Sequence, residues 1–290
     1  MTDIRGLPES VRRRAAELLE GKLDVVPLRD AATVALLRDS PSGLEVFMQR
    51  RTSTLAFAAG MYVFPGGRVE ENDTDPGVPF RDGPPDPVPF ATGGDIVLGL
   101  PGPADPRAVY RGLVVAAVRE TLEEAGVLLA ETGGGVASES DARRVRSALL
   151  SGVSLGEALR DVEARLRFSS LVAYAHWMTP AVEVRRFDTR FFAAVLPPQQ
   201  HARSASGESD TAGWVRPAQM LQRAAAGEVF MLPPTVAALQ ALQRERDAAS
   251  VLAAGHRPGL RPVLPHPVRE AEEIRWRLVD GYSGAPWPAP

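Results

Sequence analysis

The residues best suited to chemistry lie in one short run, Arg119-Glu120-Thr121-Leu122-Glu123-Glu124-Ala125-Gly126-Val127. On a helix advancing 100° per residue, Glu120, Glu123 and Glu124 fall within about 100° of arc on one face. Val115, Val118, Leu122 and Ala125 point the other way, toward a core. Carboxylates at i, i+3 and i+4 repel one another. They also occupy a last helical turn, where the helix dipole disfavours negative charge. A solvated acidic face is one reading of such a run. The other is a bound divalent cation, which relieves both penalties. Mg²⁺ suits the second, since carboxylates and substrate phosphates commonly hold it together.

These acids need a frame. Asp105-Pro106 makes a good helix start, and Gly126 a good stop, so a helix is expected from about 106 to 125. Ahead of it, Ala31–Leu37 and Leu44–Arg51 read as a hairpin around an Asp-Ser-Pro-Ser-Gly turn. Met61–Phe64 then runs into Pro65-Gly66-Gly67 and the acidic stretch Glu70-Glu71-Asn72-Asp73. Residues 76–106 hold fifteen of the 52 prolines and glycines. That composition argues against a core role, and a loop of such length is usually functional or mobile. Helices are expected at 8–21, twice within 138–167, at 216–225 and at 235–254. Further strands are expected near 182–184, 191–195 and 213–215. The proline-rich tail, with its alternating stretch Ile274–Val279, reads as an extension packed on the domain.

Composition removes several chemistries. The 290 residues suit one elaborated α/β domain or at most two compact ones. Thirty-three basic and 36 acidic side chains leave a net charge of −3, so nothing global draws the chain to nucleic acid or an anionic membrane. The absence of cysteine excludes disulfides, thiolate metal sites and a cysteine nucleophile. Lys22 is the only lysine, which nearly excludes P-loop and Schiff-base chemistry. No stretch reads as a membrane helix or a signal peptide, so a cytoplasmic protein is expected. The four histidines show no metal-binding spacing, and no G-x-S-x-G elbow is present.

The acidic run resembles the second half of the Nudix hydrolase signature, G-x5-E-x7-R-E-U-x-E-E-x-G-U with U apolar. Residues 119–127 match it except at Thr121. Upstream, FPGGRVEEND resembles the first half, with Gly67 as the pattern glycine and Asp73 in place of its glutamate. Between Asp73 and Arg119 lie 45 residues where the pattern has seven. Such a split box resembles the branch containing peroxisomal coenzyme A diphosphatases and their bacterial relatives, as do RRFDTRFFAAVLP and MLPPT downstream. The resemblance covers roughly residues 30–240. It implies an α/β/α sandwich with a mixed sheet, a long Pro/Gly-rich insertion at about 74–105 and a helical insertion at about 138–167. A helical segment would precede this domain at 1–28, the domain itself would span 29–240, and a C-terminal helix and extension would fill 241–290.

The resemblance also implies roles. Glu120, Glu123 and Glu124, with the carbonyl of Gly66, would bind Mg²⁺ or Mn²⁺, and Arg119 would hold the glutamates by ion pairing. Glu123 or Glu208 would serve as general base, Glu208 being equally readable as a plain loop acid. Asp73 is open between a site role and a structural one. Arg50 and Arg51, at the end of the hairpin, read either as phosphate contacts with Gly67 and Arg68 or as surface arginines. His176, Trp177, Trp214 and Tyr62 read as packing residues. A motif of coenzyme A-cleaving members is half present: Gly60 and Arg51 fall in register, but Gln49 replaces a threonine and Ala56 an arginine. The expected substrate is therefore coenzyme A or an acyl ester of it. The alternatives are NADH, an ADP-sugar or a dinucleoside polyphosphate, or a Nudix-fold sensor that does not hydrolyse its nucleotide. Homodimerisation is compatible with this reading, and no nucleic-acid or membrane partner is expected.

Overall fold

The computed structural model describes residues 9–53, 58–86, 88–90, 105–207, 209–255, 260–271, 273–281 and 284–287. In chain order the elements are α1 (Glu9–Leu19), β1 (Arg29–Ser40), β2 (Gly43–Arg51), β3 (Tyr62–Val63), β4 (Gly66–Arg68) and α2 (Pro106–Ala125). There follow β5 (Ala130–Thr132), β6 (Gly135–Val136), α3 (Glu139–Leu150), α4 (Leu155–Asp161), β7 (Arg165–Leu166), β8 (Val172–Met178) and β9 (Phe187–Val195). The chain continues through β10 (Ser209–Val215), α5 (Pro217–Ala225), α6 (Pro233–Leu242), α7 (Ala248–Ala254), β11 (Val263–Glu270) and β12 (Glu273–Asp280).

The main sheet runs β10-β2-β1-β9-β8-β11-β12 and is mixed, with β1 parallel to β9 and the other long pairings antiparallel. Side chains alternate across it as a strand's two-residue period requires. Ala32, Val34 and Leu36 of β1 join a core with α2, α3 and α4. Ala35 and Leu37 join a second core with α5, α6 and α7 on the opposite face. The result is the α/β/α sandwich expected. Among the described residues, no helix is long and apolar enough to cross a membrane.

One feature of register positions the site. β1 and β2 pair only near their turn, from Leu37–Val46 to Ser40–Gly43. Beyond that they diverge. β3 pairs with β2 at Gln49 and Arg50, and β4 pairs with β1 at Ala31 to Thr33, so Phe64-Pro65 crosses the fork between them. The carbonyl of Pro65 accepts from the Val34 amide (2.9 Å) and from the Thr33 hydroxyl (2.8 Å), which pins the crossing. The Gly66-Gly67 turn is thereby delivered beside the last turns of α2.

Several expected elements differ. Val182–Val184 is no strand: it lies in the turn from β8 to β9, where the Arg186 guanidinium binds the carbonyls of Thr179 and Pro180. The strand is β8, which is largely buried and so lacks the alternation that marks a half-exposed strand. The expected helix at 235–254 is broken into α6 and α7, because Asp247 accepts from the Ser250 amide and starts a new helix. The tail contributes the β11–β12 hairpin, which joins the sheet where Val263 pairs with Trp177 of β8.

The Pro/Gly-rich insertion also departs from expectation. Its first half is core, not a loose loop. Val78 and Phe90 are buried, Phe80 stacks on Phe168 (ring centroids 4.2 Å), and the Asp82 carboxylate accepts from the Phe168 amide at 2.8 Å. Phe90 meets Phe192 and His176 edge-on and touches Tyr110. Residues 91–104 lie outside the described ones. Prolines and glycines obscured this packing because three well-spaced apolar side chains do the burying. Phe90→Ala should cost about 3–5 kcal/mol, the usual range for emptying a phenylalanine site. Denaturant unfolding checks this, and a loss under about 1 kcal/mol would show that the insertion only decorates the core.

Beneath Phe90, His176 Nε2 lies 2.5 Å from Asp188, whose carboxylate also takes Arg190 at 3.0 Å. Burial pushes His176 below the usual imidazole range, against the pull of Asp188. Burial alone would raise Asp188, but His176 and Arg190 outweigh it and keep the carboxyl below its ordinary value. This network braces β8 against β9, in keeping with a packing role for His176.

Candidate active site

α2 carries the site because its sequence specifies both ends. Asp105 caps the first turn by accepting from the Arg107 amide, Pro106 follows, and Gly126 closes the helix at φ 72°, a left-handed conformation that glycine adopts freely. Thr121, the one mismatch to the signature, is fully buried and returns its hydroxyl to the Ala117 carbonyl at 2.7 Å. Its polar group is thus satisfied within the helix.

Arg119 is the organising group. All five of its N–H donors are used. Nε and Nη2 form a two-bond fork with Asp73, both at 2.9 Å. Nη1 reaches Glu120 at 2.9 Å and Glu123 at 3.0 Å, and Nη2 also binds the Arg68 carbonyl at 3.0 Å. Burial would lower the guanidinium's pKa, but these acids outweigh it and fix the positive charge. Asp73 is itself buried, and its Oδ2 accepts from the Glu70 amide at 2.8 Å. Both its oxygens serve Arg119, so its geometry is that of a structural partner. The same contact joins the two halves of the split signature in space, 46 positions apart.

The glutamates differ in setting. Glu124 is 5% exposed and accepts from the Gly66 amide at 2.9 Å and from Gln49 Nε2 at 2.5 Å. Burial first, then repulsion from Glu120, pushes its carboxyl up to about 8, against the pull of Gly66, Arg51 and Gln49. Burial likewise raises Glu120 to about 7, with Glu123 adding to the rise and Arg119 opposing it. Glu123 is more open, its side chain one-third exposed.

The two glycines are steric requirements. A Cβ on Gly66 would stand 2.5 Å from the Ala32 carbonyl oxygen, and one on Gly67 would collide with the Glu120 carboxylate. Gly66 therefore lies flat against β1, with its amide turned to Glu124, and Gly67 lies against Glu120. Around them, Arg51 is half-buried and favours the ionised form of Glu124. Arg50 and Arg68 lie at the exposed rim, Arg50 near Asp210 (4.0 Å) and Arg68 paired with Glu70 (3.2 Å). Trp214 packs edge-on against Phe47, and Tyr62 lies against the second core, as packing residues would. Glu208 and Ala56 fall outside the described residues.

Gln49, noted in the sequence only as a departure from a motif threonine, is a member of the site. Fully buried on β2, it aims its amide at Glu124, and its Oε1 has no hydrogen-bond partner among the described residues. Its signal within β2 was weak, because Glu45, Arg50 and Arg51 are polar positions of the same strand and only Val46 to Met48 before it are uninterruptedly apolar.

Among the described residues, no three acidic or imidazole groups converge closely enough to hold a metal ion as they stand. Arg119 Nη1 bridges Glu120 and Glu123 instead. The donor set still fits a hard divalent cation: every donor is oxygen, and the missing side chain at Gly67 lets the Glu120 carboxylate close on the turn, next to the Gly66 peptide that meets Glu124.

Residues 104–242 match the family model of the NUDT19 Nudix domain. That segment holds Arg119 and all three glutamates at the end of α2. The chain belongs to the Nudix hydrolase family. It is 25% identical over 246 residues to putative nudix hydrolase 7 of Caenorhabditis elegans, covering 84% of this chain and 70% of that one. It is 31% identical over 259 residues to the acyl-coenzyme A diphosphatase NUDT19 of Gallus gallus, covering 71% of this chain and 65%, just under two thirds, of that relative. Among solved structures, a Nudix hydrolase from Alicyclobacillus acidocaldarius superposes with a TM-score of 0.62 at 27% identity, over 82% of this chain and all of that one.

Proposed function

We propose that this Nudix protein is a metal-dependent diphosphatase acting on coenzyme A or its acyl esters, releasing 3′,5′-ADP and 4′-phosphopantetheine or its acyl form. The observation that carries the hydrolytic part is the placement of Glu120 and Glu123 on the Arg119 guanidinium, with Glu124 beside them at the amide of the Gly66-Gly67 turn. A protein that only senses a nucleotide has no need of that many buried or half-buried acids. The coenzyme A part is supported by the activity in the chicken relative's name and by the split signature.

Glu120, Glu123 and Glu124 would hold Mg²⁺ or Mn²⁺ with the carbonyl of Gly66. Cations bound there neutralise charge on the diphosphate and lower the pKa of the attacking water. The chain's own groups do the rest. Arg119 keeps the acids on one face, Asp73 holds Arg119, and Arg50, Arg51, Gly67 and Arg68 line the approach of the phosphates. Water adds to one phosphorus, its proton passes to Glu123 or Glu208, and the bridging P–O bond breaks. Gln49 orients Glu124 from behind. Gln49→Leu should weaken Mn²⁺ binding about 10–100-fold, the usual penalty for removing a partner of a metal ligand. A Mn²⁺ titration followed by electron paramagnetic resonance reads this directly, and unchanged affinity would remove Gln49 from the account.

A substrate panel with product masses tests the reading. Coenzyme A or an acyl ester should show the highest kcat/KM. Faster cleavage of NADH, an ADP-sugar or a dinucleoside polyphosphate, with no action on coenzyme A, would keep the hydrolase and discard the substrate.

A further inference from the structure

The end of α2 borders a second feature. A cleft of about 430 Å³ lies between the helix C-terminus, α3 and the segment leading to β10. Arg143, Arg146 and Arg203 line it with Ser147 and Ser204, and no acidic side chain is among the lining residues. In a chain of net charge −3, such a concentration of one sign is notable.

The arginines are differently engaged. Arg203 pairs with Glu139 at 2.9 Å. Arg146 spends its donors on main-chain carbonyls, those of Glu123 (3.2 Å) and Ala205, and meets no carboxylate among the described residues. The Arg143 side chain is exposed and has neither a hydrogen bond nor an ion pair among the described residues. Local charge is therefore uncompensated at Arg143 and Arg146. The helix end does not supply the missing negative charge freely, because its last carbonyls are taken: Glu123 by Arg146, Glu124 by the Ala205 amide (2.9 Å) and Ala125 by the Arg203 amide (3.1 Å). Through Glu123 the cleft adjoins the acidic face of α2, on the far side of one residue.

We propose that this cleft binds a phosphomonoester that the substrate carries apart from its scissile diphosphate, which in coenzyme A is the 3′-phosphate of the ribose. The proposal rests on the coenzyme A reading above and adds a specificity site to it. A phosphomonoester is a compact dianion, and guanidinium groups bind it through paired, charge-assisted hydrogen bonds. The Ser147 hydroxyl adds a neutral donor, whereas that of Ser204 is engaged with the Ser209 hydroxyl at 2.8 Å. The volume accommodates a ribose phosphate, with Ala142, Leu150 and Ala205 offering apolar surface to the sugar and the arginines facing the phosphate charge.

The test compares coenzyme A with 3′-dephospho-coenzyme A, and 3′,5′-ADP with 5′-ADP, in the parent, in Arg143→Ala and in Arg144→Ala. Arg144 neighbours Arg143 but does not line the cleft. The parent should prefer coenzyme A through a lower KM and bind 3′,5′-ADP more tightly than 5′-ADP by calorimetry. Arg143→Ala should reduce both preferences by roughly tenfold or more, as expected for a lost charge-assisted hydrogen bond. Arg144→Ala should keep them. Equal use of the two coenzymes by the parent, or a preference that survives Arg143→Ala, would overturn the cleft while leaving the diphosphatase intact. If neither coenzyme is cleaved, the functional reading fails, and the calorimetric comparison alone decides whether the cleft selects the extra phosphate.

Discussion

Glu124→Gln should lower kcat by about 10²–10⁴-fold, the range lost with a catalytic acid–base group. The replacement preserves size and keeps an acceptor for the Gly66 amide, so the change isolates the charge. Stability should move the other way. Glu124 is almost fully buried and its carboxyl is raised to about 8, chiefly by burial. A carboxyl raised in the fold costs nothing at pH below its unfolded value of 4.5, and the cost grows as the pH rises from there to about 8. The amide removes that penalty, so without metal the variant should unfold at the parent's temperature or above it. Parallel kinetics and thermal unfolding check both halves. Activity near the parent's would refute a metal-holding Glu124, and a large loss of stability would make it a structural residue.

Arg119→Ala should be the most damaging single change to the fold. It strands the buried Asp73 and the largely covered Glu120 without their counter-charge, together with Glu123, whose side chain is one-third exposed. Breaking a buried ion pair from one side costs about 3–5 kcal/mol. Several acids depend on this guanidinium, so the upper part of that range is expected. It should also loosen the Asp73 end of the signature, which the Glu70 amide alone would then hold among the described contacts, while the Gly66–Glu124 bond stays in place. Arg119→Lys restores the charge but not the fork, because an ammonium cannot form the same planar pair of bonds. It should recover part of the stability and little of the activity. Denaturant unfolding without added metal measures the first, and steady-state kinetics the second. Parent-like stability in Arg119→Ala would mean that the acids are already solvated.

Much of this site was legible because it is local. The spacing of Glu120, Glu123 and Glu124 is a property of one helix turn, and Asp105-Pro106 and Gly126 mark that helix without reference to the rest of the chain. The hairpin β1–β2 was readable for the same reason. What sequence could not show was set by distant contacts. Asp73 serves Arg119 across the insertion, and Gln49 reaches Glu124 from a strand 75 positions away. β8 went unrecognised because burial removes its alternation, and the insertion looked like loop because Val78, Phe80 and Phe90 are too sparse to form a period. The cleft beside α3 lies in the same class, since Arg143 and Arg203 meet only in the folded chain.

The reaction of coenzyme A in ¹⁸O-labelled water, with Mg²⁺ or with excess chelator, tests the central claim most directly. With metal, mass spectrometry should find 3′,5′-ADP and 4′-phosphopantetheine with a single ¹⁸O in the phosphate of one of them, and with chelator neither product. Turnover that persists in the chelator, or intact coenzyme A after prolonged incubation with Mg²⁺ and with Mn²⁺, would contradict a metal-dependent diphosphatase built on Glu120, Glu123 and Glu124.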